Sequence, residues 1–174
     1  PGYGDSPGVA SAAAMQAMSS RMSAFASETA GDRDLVFWGH SLGGIVCAQL
    51  AGETPQTDGV ILEATAQRAA AVARAWTPWY AKPFVRVEVA ESLAGYDTAH
   101  VLAGFHGPIL VLGAALDETL PVELSRSLAH ALEAAHTRVH YVEFANADHA
   151  SISQQPEFAA VASAYFENLR DDHD

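Results

Sequence analysis

Apolar positions along this chain alternate between two periods. Met15, Met18, Met22 and Phe25 recur at steps of three and four, which predicts an amphipathic helix over residues 9–29. Residues 34–38, DLVFW, then form a short apolar run with β-branched and aromatic members, the pattern of a buried strand. Ile45, Val46 and Leu50 return to helical spacing, and GVILEA at 59–64 reads as a second strand. PILVLG at 108–113 predicts a third strand, and the alternation over 138–144 predicts a fourth. Between these last two, Leu124, Leu128, Ala131 and Leu132 mark a helix that Pro121 helps to start. After Pro156, the positions Phe158, Val161, Tyr165, Phe166 and Leu169 give a closing helix with an apolar stripe. Residues 65–107 are less regular and carry Trp76, Pro78, Trp79, Tyr80, Pro83 and Phe84. Strands alternating with helices predict the α/β class: a mainly parallel sheet with helices on both faces.

Composition narrows the picture without redirecting it. The 174 residues amount to one domain or a large part of one. A chain of this size can bury roughly 70% of its unfolded surface. With 49% apolar residues it has the material for a core and is not a disordered chain. A formal charge of −12 argues against a nucleic-acid partner and against anionic membrane surfaces. No stretch approaches the ~18 continuous apolar residues of a membrane span. Cys47 is the one cysteine, so no internal disulfide and no thiolate metal site can be built from this chain alone. It falls within a predicted helix and reads as a small core residue. No H-E-x-x-H or clustered ligand set points to a metal, and no cofactor is expected.

The chemistry concentrates at residues 38–44, WGHSLGG. Glycine in a helix costs about 1 kcal/mol relative to alanine, so Gly39, Gly43 and Gly44 beside a helix start need a reason. Gly39-His40-Ser41-Leu42-Gly43 is a G-x-S-x-G elbow with a predicted strand before it and a predicted helix after it. Such a strand-to-helix turn is sharp and strained, and bulky neighbours two positions either side of the serine would collide. It lifts the Ser41 hydroxyl clear of the sheet and leaves the Leu42 backbone N–H free to stabilise an oxyanion. The bland alternative is a glycine-rich turn with an incidental serine. Rival motifs fail on spacing. Gly44 is followed by Ile45 and Val46 rather than the Lys-Ser/Thr of a phosphate loop, and the glycines of residues 2–8 lack the dinucleotide fingerprint.

A serine hydroxyl needs a base, and the base needs an orienting acid. In the chain order of such elbows an acid follows a later strand and a histidine comes last. Asp117 lies just past PILVLG, and His149 lies just past VHYVEF. Both therefore fall at the carboxyl edge of the sheet, the edge that also carries Ser41. Glu63, at the end of the 59–64 strand, is the substitute acid. Glu118 is a neighbour expected to point elsewhere, and Asp148 is expected to shape the turn before His149. His40 flanks the nucleophile inside the elbow. His100, His106, His130, His136, His140 and His173 lack the required order.

Taken together, PGYGDSPG at 1–8, GHSLGG at 39–44, GVILEAT at 59–65, the block at 95–121 and ANADH at 145–149 resemble the α/β-hydrolase superfamily of serine hydrolases. The 95–121 block is similar to that of its small-lid esterases and peptidase-like hydrolases. The resemblance implies Ser41, Asp117 and His149 as a catalytic triad and Leu42 as one oxyanion donor. It implies an esterase-type acyl hydrolase acting on a small-molecule acyl substrate. A cofactor-free haloperoxidase or carbon–carbon hydrolase on the same triad, and a catalytically silent binding module, stay open beside it. It also implies a single domain over 1–174 with a short lid-like insertion at 65–107. There Trp76, Trp79, Tyr80 and Phe84 either line an acyl pocket or pack a connecting helix onto the sheet. The family's sheet has eight strands and carries a second oxyanion donor on an earlier loop, whereas about four strands are found here. The expectation is an N-terminally incomplete fold, or a chain that meets a partner or second copy at the open edge of strand 34–38.

Overall fold

A computed structural model describes residues 5–9, 11–77, 96–135 and 138–171. Helix α1 (Ala12–Ala30) leads into strand β1 (Leu35–His40), and α2 (Leu42–Glu53) follows β1 after the single residue Ser41. Strand β2 (Thr57–Glu63) is followed by the short helices α3 (Ala69–Trp76) and α4 (Thr98–Val101). Then come β3 (Ile109–Ala114), α5 (Val122–Ala135), β4 (Val139–Phe144) and α6 (Phe158–Asp171). The four strands form one parallel sheet in the order β1-β2-β3-β4, so among the described residues β1 and β4 are its outer strands.

The sheet is buried on both faces, and the strand period of two divides its side chains between two cores. Val60 and Leu62 of β2, with Ile109 and Val111 of β3, face Leu50 of α2 and Leu128 and Leu132 of α5. Ile61, Leu110 and Leu112 face the other way, onto Ile152 and Tyr165 of the C-terminal segment. Helices therefore cover both faces, as the alternation of elements predicts. In α6 the stripe holds at Tyr165 and Leu169, which are buried, while Phe166 is exposed. Cys47 is half-buried against the first core, and burial pushes its thiol up to about 11.

One expectation is corrected in α1. Within the apolar stripe that gives this helix its period, Met18 is half-buried, and Met22 and Phe25 are exposed. The buried face is the small, polar one. Ser19 is buried, Ala26 packs against the first core, and the Ser23 and Thr54 hydroxyls hydrogen-bond at 2.6 Å. Small side chains let α1 lie close to α2, and the serine hydroxyls satisfy polar groups that a methionine would leave unpaired.

The segments around Arg68 and Asp97 are tied to each other. Arg68 and Asp97 form an antiparallel bridge and an ion pair. The Gln67 amide donates to Asp97 Oδ1 at 3.0 Å, and the Thr98 N–H donates to the Gln67 carbonyl at 3.0 Å. Asp97 also caps α4 by accepting the His100 N–H at 3.2 Å. Trp79, Tyr80 and Phe84 lie outside the described residues, as do His136 and His173. Among the described residues no helix is long and apolar enough to cross a membrane.

Candidate active site

Parallel strands expose their carboxyl ends at one edge, and the loops leaving that edge gather residues far apart in sequence. Ser41 leaves β1, Glu63 ends β2, Asp117 follows β3 and His149 follows β4. Ser41 sits at φ 54°, and Ala64, just past β2, at φ 43°; among the described residues these are the non-glycine positions with positive φ. Left-handed backbone of this kind is costly without glycine and persists only where its surroundings over-determine it. Around Ser41 the surroundings do so. Its N–H donates to the Glu63 carbonyl at 2.8 Å, and its carbonyl accepts from the Gly44 N–H at 3.0 Å and the Thr65 hydroxyl at 2.6 Å. The Thr65 carbonyl in turn accepts from the buried Ser125 hydroxyl at 3.0 Å. Thr65 and Ser125 are thus supports that nothing in the sequence announces.

Serine at a helix N-cap ordinarily turns its hydroxyl back to the N–H two or three residues on. Ser41 makes no such bond. Its Oγ lies instead 3.0 Å from His149 Nε2, and His149 Nδ1 lies 2.6 Å from Asp117 Oδ2. A carboxylate only accepts, so the proton of the neutral imidazole sits on Nδ1 and the Nε2 lone pair faces the Ser41 hydroxyl. The Asp117 carboxylate is almost fully buried, with side-chain exposure of 1%. Its second oxygen accepts the backbone N–H groups of Thr119 and Leu120 at 2.9 and 2.7 Å, which fix its orientation.

Glu63, the substitute acid, is elsewhere engaged: its Oε2 accepts the Trp38 indole N–H at 2.8 Å. Asp148 shapes the turn before His149. Hydrogen bonding to the Ser151 side chain, with the Ala150 N–H at 3.0 Å, holds its carboxyl below the usual carboxylate range. His40 does more than flank the elbow. Its Nε2–H donates to the carbonyl oxygen of His149 at 2.6 Å, and the two rings lie 4.7 Å apart, tilted by 56°. Leu42 is the first residue of α2, so its N–H has no acceptor within the helix and is available beside Ser41. No group of histidine, cysteine and carboxylate side chains arranged for a metal occurs among the described residues.

The steric reading of the glycines is corrected in part. A Cβ on Gly39 would collide with the Gly43 carbonyl and stand 2.7 Å from Gly44 Cα, so Gly39 is required. A Cβ on Gly44 would meet Thr65 Cγ2 at 2.7 Å, so Gly44 is required as well. A Cβ on Gly43 meets nothing within 4 Å, so a side chain fits at that position. The close packing therefore falls on the second glycine of the pair.

Beside Ser41 a cavity of about 260 Å³ opens between α2 and α3. Trp76 reaches across it, and its indole N–H donates to the Thr119 carbonyl at 2.5 Å.

Residues 13–170 match the prolyl oligopeptidase family. Among curated proteins none matches the chain in sequence. The fold is similar to that of an esterase from Pyrococcus furiosus, with a TM-score of 0.69 and 12% identity over 97% of this chain and 68% of that one. It is similar to a monoacylglycerol lipase from Paleococcus ferrophilus, with a TM-score of 0.64 and 20% identity over 97% of this chain and 80% of that one. An acylaminoacyl peptidase from Pyrococcus horikoshii matches with a TM-score of 0.66 and 14% identity over 90% of this chain, of which it covers 27% of that protein. The chain thus spans most of the smaller hydrolases and about a quarter of the peptidase. The family match and the four-stranded parallel sheet agree: the chain belongs to the prolyl oligopeptidase family, within the α/β-hydrolase superfamily.

Proposed function

We propose that this chain carries the active site of a serine hydrolase that cleaves carboxylic ester or related acyl bonds through an acyl-serine intermediate. His149 Nε2 takes the proton as Ser41 Oγ bonds to the acyl carbon, and the carbonyl electron pair moves onto oxygen. The Leu42 N–H faces that oxyanion. As the oxyanion collapses, the bond to the leaving group breaks, and His149 delivers the proton to the departing atom. Water then repeats the sequence against the acyl-serine, releasing the acid and restoring the Ser41 hydroxyl. Asp117 holds the imidazole tautomer and stabilises its transient cation. The observation that carries this reading is the continuous hydrogen-bonded line from Ser41 Oγ through His149 to Asp117, at 3.0 and 2.6 Å.

A fluorophosphonate probe tests it. The probe should modify Ser41, identified by peptide mass, and Ser41→Ala should abolish the modification. A folded protein left unmodified at Ser41 overturns the reading in favour of a silent binding module.

His40 offers a second measurement. Its bond to the His149 carbonyl is worth about 0.5–1.5 kcal/mol net. His40→Ala should therefore lower kcat about threefold to tenfold without raising KM, and His40→Gln, which keeps a donor, should recover most of the loss. Equal kcat values for wild type and His40→Ala would show that this contact does not position the base.

A further inference from the structure

Helix α3 is an oddity among the described helices. It has no buried residue, so core packing does not hold it in place. One of its faces is nonetheless occupied: Ala69, Val72, Ala73 and Trp76 all line the cavity beside Ser41, and their spacing of three, four and seven is a single helical face. On the other side the cavity is bounded by Ser41, Leu42 and Ile45. We infer that this face of α3 is an acyl-selecting roof, and that the site takes small, uncharged, apolar acyl groups. The inference rests on the acyl-serine reading and adds the substrate class to it.

Three observations carry it. The first is size: about 260 Å³ lies below the ~300–1,000 Å³ of sites that hold drug-sized ligands. Two of the four roof residues are alanines, so the space exists because the roof is thin there. The second is charge: among the described residues no charged side chain lines the cavity. A carboxylate or ammonium on the acyl group would lose its water there and meet no counter-charge from these lining residues.

Two of the polar lining residues are engaged with the protein. The Thr65 hydroxyl donates to the Ser41 carbonyl, while the Thr119 backbone donates to Asp117 and accepts from Trp76. The third observation is the fastening. The Trp76 indole N–H is bonded to the Thr119 carbonyl, and the Thr119 N–H is bonded to Asp117 Oδ1. The height of the roof is therefore set from the turn that holds the acid, which ties the fit of the acyl group to the geometry of the triad.

The experiment compares kcat/KM for p-nitrophenyl acetate, butyrate, octanoate and palmitate in the wild type, Ala73→Phe and Trp76→Ala, with fluorophosphonate labelling of Ser41 in each. Wild type should prefer acetate or butyrate over palmitate by at least about tenfold, the scale on which apolar pockets discriminate. Ala73→Phe should lower the butyrate-to-acetate ratio about tenfold, and Trp76→Ala should raise the octanoate-to-acetate ratio by a similar factor. The monoester p-nitrophenyl succinate, a charged counterpart of butyrate in length, should be turned over at least about tenfold less well. If Ser41 is labelled but the profile of both variants matches wild type, α3 is not the acyl roof and the serine reading stands. If only Trp76→Ala folds, its profile decides alone. Absence of labelling in the wild type overturns the serine reading and this inference with it.

Discussion

Replacing Asp117 with asparagine should lower kcat about 10⁴-fold, the scale on which a triad acid acts through the tautomer of its histidine. The geometry makes the direction unambiguous. Asp117 Oδ1 accepts the Thr119 and Leu120 N–H groups, so an asparagine at this position must place its amide oxygen there. Its NH2 then faces His149 Nδ1, which has to accept. The imidazole proton is forced onto Nε2, where it confronts the Ser41 hydroxyl and cannot receive a proton from it. The turn itself survives, because both backbone donors keep their acceptor. Exchanging charged for neutral hydrogen bonds costs about 1 kcal/mol, a fall in Tm of about 2–4 °C in a protein of this length. Asp117→Ala differs in the second readout: it strands two buried N–H groups, each costing about 1–3 kcal/mol, and loses stability together with activity. A kcat for Asp117→Asn within tenfold of wild type, in a folded protein, would mean that Asp117 does not set the tautomer.

The strands were legible because burial on both faces leaves a continuous apolar run with turn residues at each end, as in GVILEA and PILVLG. Once four such runs are taken as parallel, backbone topology alone places Ser41, Asp117 and His149 at one edge. No side-chain detail is needed for that step. What was not legible depends on which face of an element meets which neighbour. The spacing of Met18, Met22 and Phe25 identifies a helix, but periodicity does not say that Ser19, Ser23 and Ala26 are the face that packs. That choice is made by α2 and Thr54, which periodicity in α1 does not report. His40 and His149 are separated by 109 positions, and their contact arises from two rings turned toward each other above the sheet edge. In the sequence Trp76 is one of several aromatic residues, because its bond to Thr119 exists only once α3 lies over the acid turn.

The glycines of the elbow give the other large effect, and here the expected signs are opposite for neighbouring positions. Gly39→Ala drives a methyl group into the Gly43 carbonyl, with Gly44 Cα 2.7 Å away. Both obstacles are backbone, so no rotamer change relieves them; β1 and the first turn of α2 must separate. Overpacking of a core by a movable side chain costs about 1–3 kcal/mol, and a clash between two backbones belongs at or beyond the upper end. A loss of about 3 kcal/mol lowers Tm by about 10 °C in a chain of this length. Moving α2 also moves Ser41, which hangs between the Glu63 carbonyl and the Thr65 hydroxyl, so fluorophosphonate labelling should fall with Tm. Gly43→Ala introduces the same methyl group into open space at a helical position without positive φ. It removes backbone freedom from the unfolded chain and should stabilise by up to about 1 kcal/mol, raising Tm by about 2–4 °C. Thermal melts of the two variants decide the matter. Shifts of the same sign would mean that the elbow is not held by the contact between Gly39 and the Gly43–Gly44 backbone.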